Sequence, residues 1–331
     1  MRMGKHGVII LALAAVLVGI LLIPRYGWDG HGQQRGWRLG ASQQDFPLTV
    51  TDALGRTVTI PTRPERLISL APNITEILFA IGAGPRVVAD TAYCDYPPAA
   101  AALPKIGGYL DPNLEKVLAL KPDLVLCDDI NRHAMVDRLA GLGIPVVMSA
   151  PERLQEVEGA IRQIGRAVGE ASHAETLADD LQRRRAAVTA KTAALPEASR
   201  PRTLFLFSLD GFYSAGPGSY IDELIRYGGG RNIITKPAAA WPQLAIESIV
   251  AADPQVIILL AKYGKQHHLT AAVALATLLA DRRWRDITAV KTRRVVVLDD
   301  DPMTLPGPRL IEGLESTAGA LHPEWAVPRR P

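Results

Sequence analysis

"LEKVLALKPDLVLCD" (Leu114–Asp128) and "IESIVAADPQVIILL" (Ile246–Leu260) are nearly one phrase written twice, 132 residues apart. Aligned, Glu115 falls on Glu247, Ala119 on Ala251 and Pro122 on Pro254, and the remaining positions keep their polarity except the last, where Asp128 falls on Leu260. An acidic residue near the start suits the positive end of a helix dipole. Leu114, Val117 and Leu118, like Ile246, Ile249 and Val250, recur at helical spacing. Proline then ends the helix, because it drives the residue before it out of the helical conformation. The short apolar run that follows is the kind of strand that a parallel sheet buries on both faces. A helix leading straight into a buried strand is half of a βαβ unit, so two copies predict two α/β lobes.

A second pair of segments agrees. "TEILFAIGAGPRVVAD" (Thr75–Asp90) and "DELIRYGGGRNII" (Asp222–Ile233) each pass from an acidic helical stretch through glycines to an apolar strand. Glycine is suited to the left-handed turn that closes a helix. The same two elements therefore recur in the same order in both halves.

Working outward, Glu152 to about Leu195 reads as helical, and Ser172 with Glu175 supplies a capping box. From there about 23 residues without Pro or Gly predict a rigid rod of about 34 Å. The expected fold is thus α/β, with two lobes of mainly parallel sheet joined by one long helix and a ligand cleft between them. The expected organisation is a signal or anchor segment at 1–24, a flexible tether at 25–45, and a first lobe with an edge hairpin at 46–150. A helical linker at 151–198 and a second lobe at 199–331 complete it.

In the 331-residue chain, 48% apolar content provides for sizeable cores, and a formal charge of +3 without basic stripes argues against a nucleic-acid partner. Arg2 and Lys5 precede the uncharged run Gly7–Ile23, which Pro24-Arg25 ends. Basic residues on that side keep the N-terminus cytoplasmic and send the rest across the membrane. The run is at the short limit for a membrane span and the long limit for a signal-peptide core. The missing cleavage motif favours an uncleaved anchor in the inner membrane over a cleaved signal. Cys94 and Cys127 fit an oxidising compartment, where a disulfide between them is geometrically open. They lack the histidine neighbours of a metal site.

Open α/β sheets bind ligands at the carboxyl ends of their strands. There the sequence places Tyr93, Tyr96, Tyr109, Phe212, Tyr213 and Trp241, although aromatics make up only 5% of the chain. As a set they predict a flat, partly apolar small-molecule ligand held by stacking. No nucleophile elbow, phosphate loop or HExxH helix is present, and His267-His268 reads as a pair in a solvated loop, so an exported enzyme is the weaker reading.

"RLISLAPNITEILFAIGAG", "YCDYPP", "GGYLDPNLEKVLALKPDLVL" and "AWPQLAIESIVAADPQVII" resemble the helical-backbone class of ABC-importer substrate-binding proteins. The nearest likeness is to its vitamin B12 binders, over roughly Phe46 to Leu321. The resemblance implies no cofactor but a transported ligand, cobalamin or a related corrinoid, with haem or a ferric chelate open. It implies an ABC permease dimer with its ATPase subunits as partner. By motif position, Tyr93, Tyr213 and Trp241 match the corrinoid-contacting aromatics, and Asp301 matches a polar cleft contact. Tyr109 replaces a tryptophan conservatively, whereas Asp128 stands where another tryptophan sits and weakens the corrinoid reading. For haem, Tyr93 or Tyr109 would serve as the axial ligand. Glu115 and Glu247 match the surface glutamates, one per lobe, that the family docks on permease arginines. The alternative reading of both is as ordinary acids at helix starts.

Overall fold

The computed structural model describes residues 45–130, 132–235, 240–262 and 269–325. The expected anchor, and the tether through residue 44, lie outside them. Among the described residues no helix is long and apolar enough to cross a membrane.

The chain opens with the expected hairpin, β1 (Leu48–Thr51) antiparallel to β2 (Thr57–Ile60). It forms a two-stranded sheet of its own. Its turn is built by buried Asp52, whose carboxylate accepts the Leu54 and Arg56 N–H groups, each at 3.0 Å. The turn is joined to the first lobe by the Ala53 N–H donating to the Met148 carbonyl at 3.0 Å.

The first lobe's sheet comprises β3 (Leu67–Ser69), β4 (Val87–Ala89), β5 (Leu124–Cys127) and β6 (Val146–Met148). The second comprises β7 (Arg202–Leu206), β8 (Arg231–Asn232), β9 (Val256–Leu260) and β10 (Val295–Leu298). Both are parallel, with the orders β4-β3-β5-β6 and β8-β7-β9-β10, so one topology occurs twice. Every residue of β5 and β9 is buried. Alternate residues serve opposite faces, as strand geometry requires. Leu124 and Leu126 pack into the core shared with the linker, and Val125 and Cys127 into an outer core. Ile258 and Ile257 divide likewise in the second lobe.

The repeated helices are α2 (Leu114–Ala119) and α7 (Ile246–Ala252), and both end by one device. Lys121 and Asp253, the residues before the two prolines, are left-handed, with φ of 46° and 41°. An arginine then binds the exposed carbonyls at each helix end. The Arg66 guanidinium donates to the Leu120 and Lys121 carbonyls at 2.8–3.2 Å. Arg202 does the same to Ala252 and Asp253 at 2.7–3.2 Å. A cation there also meets the negative end of the helix dipole. The duplication thus extends to side-chain contacts that the aligned phrases do not contain.

The linker is a helical hairpin, α4 (Leu154–Ala167) followed by the 23-residue α5 (Ala171–Ala193). The pairs Arg162–Glu175 at 2.9 Å, Arg162–Asp179 at 2.7 Å and Arg185–Glu158 at 2.9 Å show the two helices running antiparallel. The rod expected from the sequence is therefore present, but braced by a partner. Its start differs from expectation: Ser172 lies inside the first turn and Glu170 holds the N-cap position. Glu170 accepts from Arg63 at 2.7 Å and Arg86 at 2.8 Å, a charged anchorage that outcompetes a serine cap.

At the closest approach of the two linker helices, a Cβ on Gly165 would come within 2.1 Å of the Ala174 Cβ. Gly165→Val should therefore lower stability by about 1–3 kcal/mol, the usual cost of overpacking. Urea denaturation measures it, and an unchanged midpoint would show that the hairpin has room to spare.

One core unites α1 (Pro72–Ala80) of the first lobe, both linker helices, and α6 (Tyr220–Tyr227) and α9 (Leu310–Leu321) of the second. Ile74, Ile161, Leu177, Leu224 and Leu314 all belong to it. Outside it, α3 (Arg132–Gly141) and α8 (Ala271–Ala280) cover the far faces of the sheets.

Candidate functional site

The first lobe's contribution follows β4. Buried Asp90 accepts from the Lys105 ammonium at 2.6 Å, and the same ammonium donates to the Cys94 and Ala100 carbonyls at 2.8 and 3.0 Å. One lysine thus pins both limbs of the loop that carries Tyr93 and Tyr96. Burial raises the Asp90 carboxyl to about 6, Lys105 offsetting only part of that effect. Tyr93 stands 65% exposed, whereas Tyr96 is half-buried beneath the Arg309 guanidinium, 3.8 Å from its ring.

Tyr109 comes from the turn before α2. Gly107 there has a φ of 130°, and a Cβ on it would meet the Asp111 carbonyl at 2.9 Å, so the turn requires glycine. The Tyr109 and Tyr93 rings are 6.5 Å apart and tilted. The Tyr109 hydroxyl donates to the carboxylate of Asp128, the residue directly after β5. Burial, then the charge of Asp128 and the hydrogen bond to it, hold the phenol well above its ordinary range.

In the second lobe, the segments after β7 and before α7 pair with each other. Ser214 donates to the Pro242 carbonyl at 2.9 Å and Leu244 to that of Phe212 at 3.1 Å. This strip presents Tyr213 and Trp241, 51% and 44% exposed. Phe212 does not join them. Its ring lies 5.4 Å from that of buried Trp284 and packs into the second lobe's outer core. Phe212 is left-handed, with a φ of 51°, and at this turn its ring goes to the outer core while Tyr213 stays exposed. The sequence reading that grouped both is corrected here.

Two further aromatics complete the wall. Phe207, directly after β7, and Tyr220, at the start of α6, lie 5.8 and 5.5 Å from the Trp241 ring. The rule of residues just after strands would have found Phe207. Tyr220 carries no such signal, being placed by tertiary packing and by its hydroxyl donating to the Thr304 carbonyl at 2.6 Å. Tyr109 and Tyr220, from opposite lobes, both pack against the core that runs from one lobe to the other. The aromatic residues of the two lobes therefore flank the same interlobe core.

Asp301 is at the edge of this cleft, half-buried, its carboxylate accepting from Arg309 at 2.9 Å. Arg309 in turn clasps buried Glu76 of α1 with two bonds at 2.5 and 3.1 Å. This interlobe clasp joins residues 233 positions apart and was invisible in the sequence.

The cysteines are not bonded to each other. Both are buried free thiols, and Cys94 lies 3.2 Å from the Thr75 hydroxyl, which donates to it. Burial pushes the Cys127 thiol up to about 12. Among the described residues no cluster of His, Cys, Asp and Glu could hold a metal. His267-His268 lies outside them.

A cavity of about 810 Å³ lies elsewhere, lined by Thr189, Arg200, Arg226, Tyr227 and Arg231 among others. None of the residues expected to bind ligand lines it. Arg226 is bonded to Asp222 at 2.8 Å and Arg231 to Glu197 at 3.2 Å, so its charges are already answered. The aromatic cleft is the better site, because it gathers exposed ring faces at the carboxyl ends of both sheets.

Glu115 and Glu247 lie in the first turns of α2 and α7, both exposed. Neither makes a hydrogen bond or ion pair among the described residues.

Residues 67–302 match the periplasmic binding protein family. The chain belongs to that family. Over 322 residues, this periplasmic binding protein is 30% identical to an ABC transporter substrate-binding lipoprotein of Bacillus subtilis, covering 94% of this chain and 96% of that one. Its fold is similar to that of the periplasmic vitamin B12-binding protein of Vibrio cholerae. The TM-score is 0.68 at 28% identity, over 79% of this chain and 98% of the other. It is equally similar to a periplasmic haem-binding protein of Roseiflexus, with a TM-score of 0.68 and 28% identity over 78% and 98% of the two chains. The periplasmic binding protein is thus a substrate carrier that works outside the cytoplasm with the permease and ATPase of an ABC transporter, not an enzyme.

Proposed function

We propose that this periplasmic binding protein captures a corrinoid and delivers it to its permease. The observation that carries the reading is the aromatic cleft: Tyr93 and Tyr109 on one lobe, with Tyr213 and Trp241 on the other, offer ring faces to a flat macrocycle. Similarity to a vitamin B12-binding structure supports it. In the same proposal, Glu115 and Glu247 dock on the permease, and the run Gly7–Ile23 holds the protein at the membrane.

A second reading, haem, has one observation in its favour. Tyr93 is 65% exposed at the cleft, accessible as an axial phenolate, and a haem-binding structure is equally similar.

Visible absorption of the protein purified from its own cells separates the two, because corrinoid and haem spectra differ. Titration with cyanocobalamin should then saturate at micromolar concentration or below. Trp241→Ala or Tyr109→Ala should each weaken it by about 1–3 kcal/mol, as removal of an aromatic anchor does. No saturation with any corrinoid, together with tight haem binding, would replace the first reading by the second.

A further inference from the structure

Asp128 is the feature of the cleft that stacking does not explain. It directly follows β5 at 8% exposure, accepts the Tyr109 hydroxyl on Oδ2, and takes the Ile130 N–H on Oδ1 at 3.1 Å. A carboxylate kept this far from water is retained only at a cost. It is also not alone. Asp129 follows it, Asp210 lies after β7, and Asp299, Asp300 and Asp301 follow β10. Arg309, beside Asp301, is occupied by Glu76 and Asp301 itself. The described loops at this edge therefore carry an excess of aspartates, with exposed Lys262 after β9 as a further cation beside Asp300.

We propose that Asp128, with the Tyr109 hydroxyl it orients, is the selectivity determinant of the cleft. Its carboxylate accepts hydrogen bonds from a ligand rimmed with carboxamides and repels one rimmed with carboxylates or catecholates. The proposal deepens the corrinoid reading and rests on it, and it reverses the sequence expectation that a carboxylate at position 128 counts against a corrinoid. The rim of a corrin ring ends in carboxamide N–H groups, which are donors, whereas haem carries two anionic propionates. A carboxylate oxygen accepts more than one hydrogen bond, and bonds to an ionised acceptor are about twice as strong as neutral ones. Against propionates the same charge acts in reverse, as like charges facing each other across an interface do.

A second consequence concerns iron. A tyrosine binds iron(III) as the phenolate, yet Asp128 engages the Tyr109 hydroxyl as a donor and so favours the protonated phenol. The raised phenol follows from the same contact and from burial. Asp128 thereby disfavours Tyr109 as an axial ligand, and Tyr93 is the tyrosine left for that role.

The test compares the wild-type protein with Asp128→Asn, titrating each with cyanocobalamin and with haemin at one pH. Asparagine keeps the size and can still accept from Tyr109, but it removes the charge. Cyanocobalamin affinity should fall about fivefold to tenfold and haemin affinity should rise at least about tenfold, the range expected for one charge facing a rim group. Haemin bound to Asp128→Asn should also acquire a phenolate-to-iron(III) charge-transfer band, and the added change Tyr109→Phe should abolish it. Tyr109→Phe alone keeps the Asp128 charge and should retain the wild-type discrimination against haemin, which covers the event that Asp128→Asn folds poorly. A cobalamin-binding wild type whose affinity ratio Asp128→Asn leaves within about twofold overturns the proposal and leaves the corrinoid reading standing. Tyr109→Phe gaining haemin as strongly as Asp128→Asn overturns charge as the cause. A wild type that binds haemin tightly and no corrinoid overturns both.

Discussion

Uptake through the importer should fall at least about tenfold in the double variant Glu115→Lys, Glu247→Lys, while ligand affinity stays within about twofold. The separation follows from position. Both glutamates sit in the first turns of the repeated helices, exposed and outside the aromatic cluster, so the cleft does not register their charge. A docking arginine on the permease would register it fully, because lysine facing arginine costs several kcal/mol across an interface. Each single variant should lower uptake less than the double, because the other lobe keeps its docking carboxylate. Uptake at the wild-type rate in the double variant would remove the docking role and leave the repeat as a trace of duplicated lobes.

Docking must carry much of the discrimination if the lobes move little. A core that runs through both linker helices into both lobes resists a wide hinge, since any large rotation would open packed apolar surface. Ligand should therefore change the lobe angle only slightly. The permease must then read the spacing of the two carboxylates more than a swing between open and closed forms.

The duplicated architecture was legible because its signal is local. Helix, proline and buried strand follow one another within fifteen residues, and each step has a cause that neighbours in sequence supply. The steric rule for pre-proline positions ends the helices at Pro122 and Pro254 but points to extended backbone, so the left-handed turn of Lys121 and Asp253 was not legible. What stayed hidden is what the fold brings together from afar. Arg66 and Arg202 clamp helix ends 54 and 50 residues away, and Arg309 finds Glu76 across 233. None of these arginines announces its partner in the sequence. Phe212 was misplaced for a different reason. "GFYS" has no periodicity long enough to show which of two adjacent aromatics faces inward, and the pairing with residues 242–244 decides it. Ser172 satisfied a capping pattern that Glu170 pre-empted through arginines from another part of the chain.

Among single substitutions, Arg309→Met should cost the most stability, about 3–5 kcal/mol at neutral pH, as loss of one partner of a buried ion pair does. The Glu76 side chain is 3% exposed and that of Arg309 16%, so neither is screened by much water. Burial already lifts the Glu76 carboxyl above its ordinary value, outweighing the lowering by Arg309. Without Arg309 it must rise further. An acid whose folded value exceeds its unfolded one contributes most when protonated, below the unfolded value, and that contribution is lost as pH rises through the folded value. The deficit of Arg309→Met should therefore be largest at neutral pH and shrink on acidification towards 4.5, the reverse of ordinary acid denaturation. Glu76→Gln removes the buried charge instead and leaves Arg309 with Asp301 and the Tyr96 ring. Its cost should be about 1–2 kcal/mol, that of an altered hydrogen bond, and nearly constant over the same window. Urea denaturation of both variants at about pH 7.5 and about pH 5.5 measures the contrast, since acidification moves Glu76 towards its protonated form. Equal losses for the two variants at both pH values would show that the clasp acts by packing alone, with its charge contributing nothing to how the lobes are held.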